Sequence, residues 1–294
     1  MMIEVRERDQ VGEAPEVPDV PPELALAPTV SRAVQRFVGD AAAAAVLPVV
    51  GEIRFSIVVN ERELVSLMCS PCDLQSLVVG FLYIEGLIEG PDEIDLLRVC
   101  LEDRLAEVRL VHGFPDVPPR KILTSGCTGG VSFGKYLADV ERFRVEDEEP
   151  ALPVPPARVY GLMRALYDRA HLYRTARGIH TSVFALPGSD EPRLVAEDIG
   201  RHNTLDKLQG QALIAGVPTK GGILVASGRV SSEMLFKAAI MGVPIVASRT
   251  SPTNLALAVA ERLNVTVCGY VRQGSMNVYT HTRRIGATAG SGAA

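Results

Sequence analysis

Cys127 stands at the centre of Thr124-Ser125-Gly126-Cys127-Thr128-Gly129-Gly130. Glycine on both sides gives the backbone freedom and opens a path to the sulfur. Arg120, Lys121 and Lys135 bracket the segment, and nearby cations favour the thiolate, the nucleophilic form of cysteine. The chemistry available to such a loop is attack by sulfur. The plainer alternative is a tight turn holding a small buried cysteine.

A second thiol pair, Cys69 and Cys72, has C-x-x-C spacing at a predicted helix start. Ser70 fits the N-cap, Pro71 the first helical position and Asp73 the third. Cys72 would then lie in the first turn, where the helix dipole lowers a thiol pKa and suits thiol–disulfide exchange. No thioredoxin-like βαβ context surrounds the pair, and the second pair of a zinc ribbon is missing. A packed helix start is the alternative. Cys100 and Cys268 sit in apolar stretches and read as core residues.

The second half holds the polar chemistry. Glu197, Asp198, Arg201, His202, Asp206 and Lys207 crowd a strand end that runs into a helix start, with Asn203 as the expected N-cap. Ala226 to Glu233 repeats the geometry: a buried strand, then Gly228, Arg229 and hydroxyls at a helix N-terminus. That combination of cation, free N–H groups and glycine clearance is an anion site. Arg249 and Arg272 follow the next two strand ends. From Arg193 to Arg284 there are 11 Lys/Arg against 5 Asp/Glu. A polyanion laid along one sheet edge would account for that surplus; solvated turns with ordinary caps are the bland reading. Arg201, His202, Lys207, Arg229 and Arg272 are the candidates for gripping it, with Glu197 and Asp198 orienting those cations.

The elements that must position these groups follow from periodicity. Alternation over Gly51–Leu67 predicts strand, turn at Asn60–Glu63, strand. Leu74, Leu77, Val78, Phe81 and Leu82 form a helical stripe, and a long helix is predicted over about Arg158–Thr175. From Ile179 the order is strand, turn, strand, helix. Strands at Ile223–Ala226, Pro244–Ser248 and Val265–Val271 then alternate with helices at Ser232–Met241 and Asn254–Leu263, which implies a parallel sheet between helices.

The chain has 294 residues, a net charge of -5, 47% hydrophobic and 22% charged residues. These values exclude a globally disordered chain or a coiled coil. No tryptophan and 5% aromatics argue against a base-stacking RNA platform, and the acidic balance against a nonspecific DNA coat. No apolar run reaches the roughly 20 residues of a membrane span. No secretory signal is visible, and five scattered cysteines point to a reducing cytoplasm. The five histidines show no metal spacing. Expected boundaries are a disordered acidic, Pro-rich tail at 1–46, an N-terminal subdomain at 47–145 carrying the loop 124–134, a linker at 146–156, an α/β domain at 157–286 and a flexible tail at 287–294.

The strings AEDIGRHNTLDKLQG, SGRVSSEMLFKAAIMGVPIVASRTSPTNLALAVAE and GYVRQGSMNVYT resemble the FdhD family of sulfur carriers needed for formate dehydrogenase. CSPCDLQSLVVGFLYIEGLI looks like that family's N-terminal helix and TSGCTGG like its active loop, in collinear order over about 49–280. The resemblance implies a cytidine-deaminase-like three-layer α/β/α sandwich with a smaller N-terminal part, working as a homodimer. It implies sulfur transfer from a cysteine desulfurase to a molybdenum (or tungsten) bis(molybdopterin guanine dinucleotide) cofactor, before that cofactor enters formate dehydrogenase. GDP would be a partial mimic, and no structural metal, nucleic acid or membrane would be involved. Cys127 matches the family's persulfide cysteine. Tyr270, Val271, Arg272, Gln273, Gly274 and Ser275 match its cofactor-binding stretch. Gly130 stands where many relatives carry a second loop cysteine, and Arg177 where many have glycine. Two other readings compete: a chaperone that binds the cofactor without a covalent step, and a thiol–disulfide enzyme using Cys69 and Cys72.

Overall fold

The computed structural model describes residues 2–4, 26–113, 140–147 and 153–286. The loop 124–134 with Cys127, the cations Arg120, Lys121 and Lys135, most of the acidic tail and the tail 287–294 lie outside the described residues.

The N-terminal unit is a five-stranded sheet of β1 (Met2–Glu4), β4 (Ile53–Val59), β5 (Arg62–Cys69), β6 (Ile94–Cys100) and β7 (Leu105–Leu110), in the order β1-β6-β7-β4-β5. Ile53, Phe55, Ile57 and Val59 alternate inward with period two. The expected four-residue turn is shorter. Asn60 and Glu61 both take positive φ, and Arg62 already pairs with Val59, the backbone of a two-residue hairpin. Helix α1 (Leu74–Ile84) buries Leu77, Val78, Phe81 and Leu82 in this unit's core. It starts three residues later than Ser70 would set it. The Ser70 N–H donates to Asp198 at 3.1 Å and its hydroxyl accepts the Ile199 N–H at 3.2 Å, so Ser70 joins the two units and leaves the cap to Asp73.

The chain expected to be a disordered tail up to residue 46 contains β1 and most of an antiparallel hairpin, β2 (Thr29–Val38) with β3 (Ala41–Val50). Gly39, with φ +56, turns the chain between two runs rich in alanine and valine. The acidic, proline-rich composition ends before this hairpin begins.

The larger unit is a six-stranded sheet, not the all-parallel one that alternation suggested. Its order is β13-β12-β11-β10-β8-β9, from β8 (His180–Ala185), β9 (Leu194–Asp198), β10 (Ile223–Ala226), β11 (Ile245–Ser248), β12 (Thr266–Arg272) and β13 (Ser275–Val278). Strands β10, β11 and β12 are parallel; β8, β9 and β13 pair antiparallel. Alternate strand residues sort the helices. Ile223, Val225, Ile245 and Ala247 pack under α2 (Pro156–Arg169) through Val159, Leu162, Met163 and Leu166. Leu224, Ala226, Val246 and Val267 pack in the core built by α4 (Arg201–Ala215), α5 (Ser232–Ile240) and α6 (Asn254–Leu263). Helices thus cover both faces of a mixed sheet. The single helix expected over 158–175 breaks at Ala170 into α2 and α3 (His171–Ala176). The Glu197 carboxylate accepts the Leu172 and Tyr173 N–H groups, supplying the cap that starts the second helix.

The expected boundary at 145/146 falls inside the larger unit. Val140 and Val145 are in its core, Val145 N–H donates to Leu263 O at 2.9 Å, and Val154 pairs with Ile285. Both described ends of the expected linker are therefore tied to the same body. No helix among the described residues is long and apolar enough to cross a membrane.

Helices α1 and α4 join the two units at glycines. A Cβ on Gly80 would lie 1.8 Å from Asp206 O, and one on Gly210 would lie 1.9 Å from Ser76 O. Backbone packs on backbone there, and close-packed interiors do not relax freely. Gly210→Ala is expected to lower unfolding free energy by about 3 kcal/mol. Gly161→Ala, in α2 with open space around its Cβ, should raise it by up to about 1 kcal/mol. Urea denaturation of both variants checks this; an unaltered midpoint for Gly210→Ala would rule out the backbone contact.

Candidate functional site

One rim of the six-stranded sheet gathers the polar strand ends. β9, β10, β11 and β12 end there and β8 begins there, with His180 opposite Asp198 and Ala226 opposite both Ser182 and Ser248. In open α/β sheets ligands bind at such an edge. The rim carries two groupings of cations.

The first is His180, Arg201 and Arg229 around Gly228. A Cβ on Gly228 would meet His180 Nδ1 at 3.0 Å and the Arg201 Cβ at 3.3 Å, so glycine lets the strand end approach both. Ser227 Oγ accepts the Thr181 N–H at 3.0 Å and lies 3.5 Å from His180 Nδ1. Burial and then the charge of Arg229 depress the Arg201 guanidinium below its ordinary value, with Glu233 partly offsetting them. Burial and then Arg201 hold the His180 imidazole below its ordinary value; Arg229 acts the same way and Asp198 opposes. The Arg201 Nε is buried without a hydrogen-bond partner. An unsatisfied buried donor between like charges favours an incoming anion.

The second is a groove of about 700 Å³, within the range of roughly 300–1,000 Å³ usual for small-molecule sites. Tyr160, Arg164 and Tyr167 of α2 face Arg249, Arg272, Gln273 and Gly274 across it, and the buried Val271 closes its floor. Arg272 donates to the Arg249 carbonyl and Arg249 to the Val271 carbonyl, which fixes the two strand ends against each other. Tyr270 is 45% exposed at φ +53, where β12 shifts register before Arg272 pairs with Ser275. An aromatic side chain held in the left-handed region is strained, a feature that gathers at binding sites. Gly274, at φ +77, turns the chain into β13.

Other predicted residues take different roles. Lys207 is fully buried: its Nζ lies 2.7 Å from Asp198 Oδ2 and donates to Glu197 O at 3.0 Å. Burial works against its charge, but Asp198 outweighs that and raises its pKa. Lys207 therefore clamps the strand end and is no cation for a ligand. Asp198 also accepts from Gly200 N–H and Asn203 Nδ2, each at 2.8 Å. With Glu197 on α3, both carboxylates hold the architecture and do not orient rim arginines. Asn203 is not the N-cap; Gly200 is, and Asn203 reaches Met68 O at 2.9 Å. His202 is 7% exposed, with Nε2 2.9 Å from Ser231 Oγ and 3.8 Å from Glu233. It stands behind the rim.

The four described thiols are free. The helix-dipole effect expected at Cys72 is absent because α1 starts after it. Burial raises its pKa, against the Lys207 ammonium 3.5 Å from the sulfur. Burial raises the Cys69 thiol well above its ordinary range and Cys268 to about 12. With both thiols raised, Cys69 and Cys72 lack the acidic thiol an exchange enzyme needs. Among the described residues no group of His, Cys, Asp and Glu could hold a metal ion. Sequence reasoning missed His180, Tyr160, Arg164 and Tyr167. The last three follow 4 and 3 residues apart, one helix face beside the apolar stripe, which was the available signal.

The profile of the FdhD/NarQ family matches residues 50–286. Proteins named "Sulfur carrier protein FdhD" are similar over most of their length. That of Bacillus pumilus is 38% identical over 239 residues, covering 81% of this chain and 90% of the relative. That of Bacillus subtilis is 36% identical over 240 residues, covering 80% and 89%. A crystal structure from Desulfotalea psychrophila, assigned as a formate dehydrogenase accessory protein, superposes with a TM-score of 0.69 at 25% identity over 87% of this chain and 99% of that one.

Burial lowers the His202 imidazole to about 4, against the upward pull of Glu233. The unfolded chain takes up this proton near 6.5, so acidification through that window favours unfolding. Relative to pH 7, the group is expected to cost the folded state about 2 kcal/mol at pH 5. Urea midpoints of the wild type and His202→Gln at both pH values check this. The variant should lose less stability on acidification; equal losses would show that His202 is protonated in the fold.

Proposed function

The chain belongs to the FdhD/NarQ family, and from that premise we propose that it carries sulfur as a persulfide on Cys127. The donor is a cysteine desulfurase. The acceptor is a molybdenum (or tungsten) bis-guanine-dinucleotide cofactor destined for formate dehydrogenase. The proposal includes a homodimer working in the reducing cytoplasm, and a cytidine-deaminase-like arrangement for the helix-covered mixed sheet.

The observation that carries this reading is the cationic rim. A cofactor with two guanine dinucleotides presents pyrophosphates and flat bases. Arg201 with its partnerless Nε, Arg229 and the His180 imidazole suit a phosphate oxygen. The groove between Arg164, Arg249 and Arg272, walled by Tyr160 and Tyr167, suits a second phosphate and a stacked base.

Loading needs no hydrolytic base. The Cys127 thiolate attacks the outer sulfur of the donor persulfide, the donor S–S bond breaks, and the donor cysteine leaves as thiolate. The carrier role requires Cys127, which stands among glycines in the sequence, to accept sulfur from one protein and release it elsewhere. With Gly130 in place of a second loop cysteine, no resolving thiol in that loop can divert the persulfide into a disulfide.

Incubation with a cysteine desulfurase and cysteine, then alkylation and mass spectrometry, should place the extra sulfur on Cys127. Cys127→Ala should keep GDP affinity and lose formate dehydrogenase maturation, whereas Arg272→Ala should weaken GDP binding by roughly 1.5–3 kcal/mol. No labelled cysteine with GDP binding intact would replace the carrier with a non-covalent chaperone. A Cys69–Cys72 disulfide that cycles with activity would replace it with a thiol–disulfide enzyme.

A further inference from the structure

The opposite rim of the six-stranded sheet, where β10 and β11 begin, holds a separate cavity of about 380 Å³. Gly221, Ile223, Gly242, Pro244 and Ile245 form its base. Among the described residues Arg144, Arg158, Lys220 and Arg284 line it, with the carboxylate of Glu146. Their positive charges add in one concavity, and the carboxylates of Glu146, Asp147 and Asp190 offset them only in part.

Two of the four are fixed. Arg158 donates to the carbonyls of Ser189 at 2.8 Å and Leu186 at 2.9 Å, its side chain is 12% exposed, and the exposed Asp190 carboxylate lies 3.6 Å from its Nε. Arg284 is held by Asp147 and by Thr266 Oγ1. The other two, Arg144 and Lys220, are exposed and able to close onto a guest. The chain's own acidic residues already lie against this charge. Glu146 is 3.4 Å from Lys220, and Asp147 pairs with Arg283 and Arg284. Burial tends to raise the Asp147 carboxyl, but the Arg283 and Arg284 interactions hold it at about 2. Glu146, which lines the cavity beside Lys220, shows anionic oxygen lying against one of its cations.

We propose that this cavity is a second anion site, independent of the cationic rim, for a small, multiply charged organic phosphate. The planar guanidiniums of Arg158 and Arg144 match phosphate oxygens. Lys220 supplies a mobile point charge by leaving Glu146, which is 80% exposed and returns to water. The volume is too small for the whole cofactor of the preceding proposal but sufficient for one phosphorylated fragment.

Lys220 is the one exposed lysine among the described residues, since Lys207 and Lys237 are buried. That permits a local readout: acetylation of Lys220 in the full-length protein, followed by mass spectrometry, with inorganic pyrophosphate as the probe. Pyrophosphate should protect Lys220. Arg144→Ala should raise the protecting concentration at least about tenfold, and Arg272→Ala on the far rim should leave it unchanged. Three results would each overturn the proposal: no protection up to about 1 mM, protection indifferent to Arg144→Ala, or protection lost in Arg272→Ala.

Discussion

Positive charge at the strand-end rim is offset only in part, by Glu233 and Asp198, because the carboxylates nearest to it in sequence face inward. Asp198 lies on Lys207 and on the backbone of Ser70, and Glu197 caps α3. Had either turned outward, it would neutralise Arg201 or Arg229 and an anion would gain little there. The buried pair Asp198–Lys207 joins the two units and leaves Glu233 as the carboxylate that partly offsets Arg201. Burying a charge pair costs desolvation energy that only close geometry and further hydrogen bonds offset. Here Gly200, Asn203, Ser70 and the Glu197 carbonyl complete the set.

The glycine crossing of α1 and α4 makes that arrangement rigid. With Gly80 and Gly210 the two helices touch through their backbones, so α4, which begins at Arg201, is held by the N-terminal unit. A second buried pair, Lys237 with Asp206, ties α4 to α5. Arg201 and Arg229 therefore sit on elements fixed from behind, and their mutual repulsion cannot relax by movement of the backbone. Preorganised charge of this kind binds an anion without reorganisation at the moment of binding.

Much of the fold was legible because its signals are local. The helices at Ser232 and Asn254 and the strand between them follow from periodicity and caps: Ser231 and Thr253 accept the N–H groups of Met234 and Ala256. What was illegible depends on partners distant in sequence. The start of α1 moves to Leu74 because Ser70 bonds across 128 residues to Asp198. Lys207 looks like a surface cation until Asp198 is seen beside it, since lysines are seldom buried unless paired. The break at Ala170 needs Glu197, and the hairpin Thr29–Val50 is hidden beside a tail of very different composition. Of the candidate site, the rim arginines and the Tyr270–Ser275 stretch could be read from their place after strands. The groove wall on α2 could not be matched to them without knowing which sheet face that helix covers.

The most direct measurement is the pKa of His180, read from its imidazole resonances by NMR with and without GDP. In the free protein the surrounding arginines and burial should hold it below the ordinary histidine value. An anion seated between Arg201 and Arg229 removes much of that positive field, so the pKa should rise on binding. An ordinary value in the free protein, or one that stays fixed at saturating GDP, would contradict the cationic rim as the binding feature.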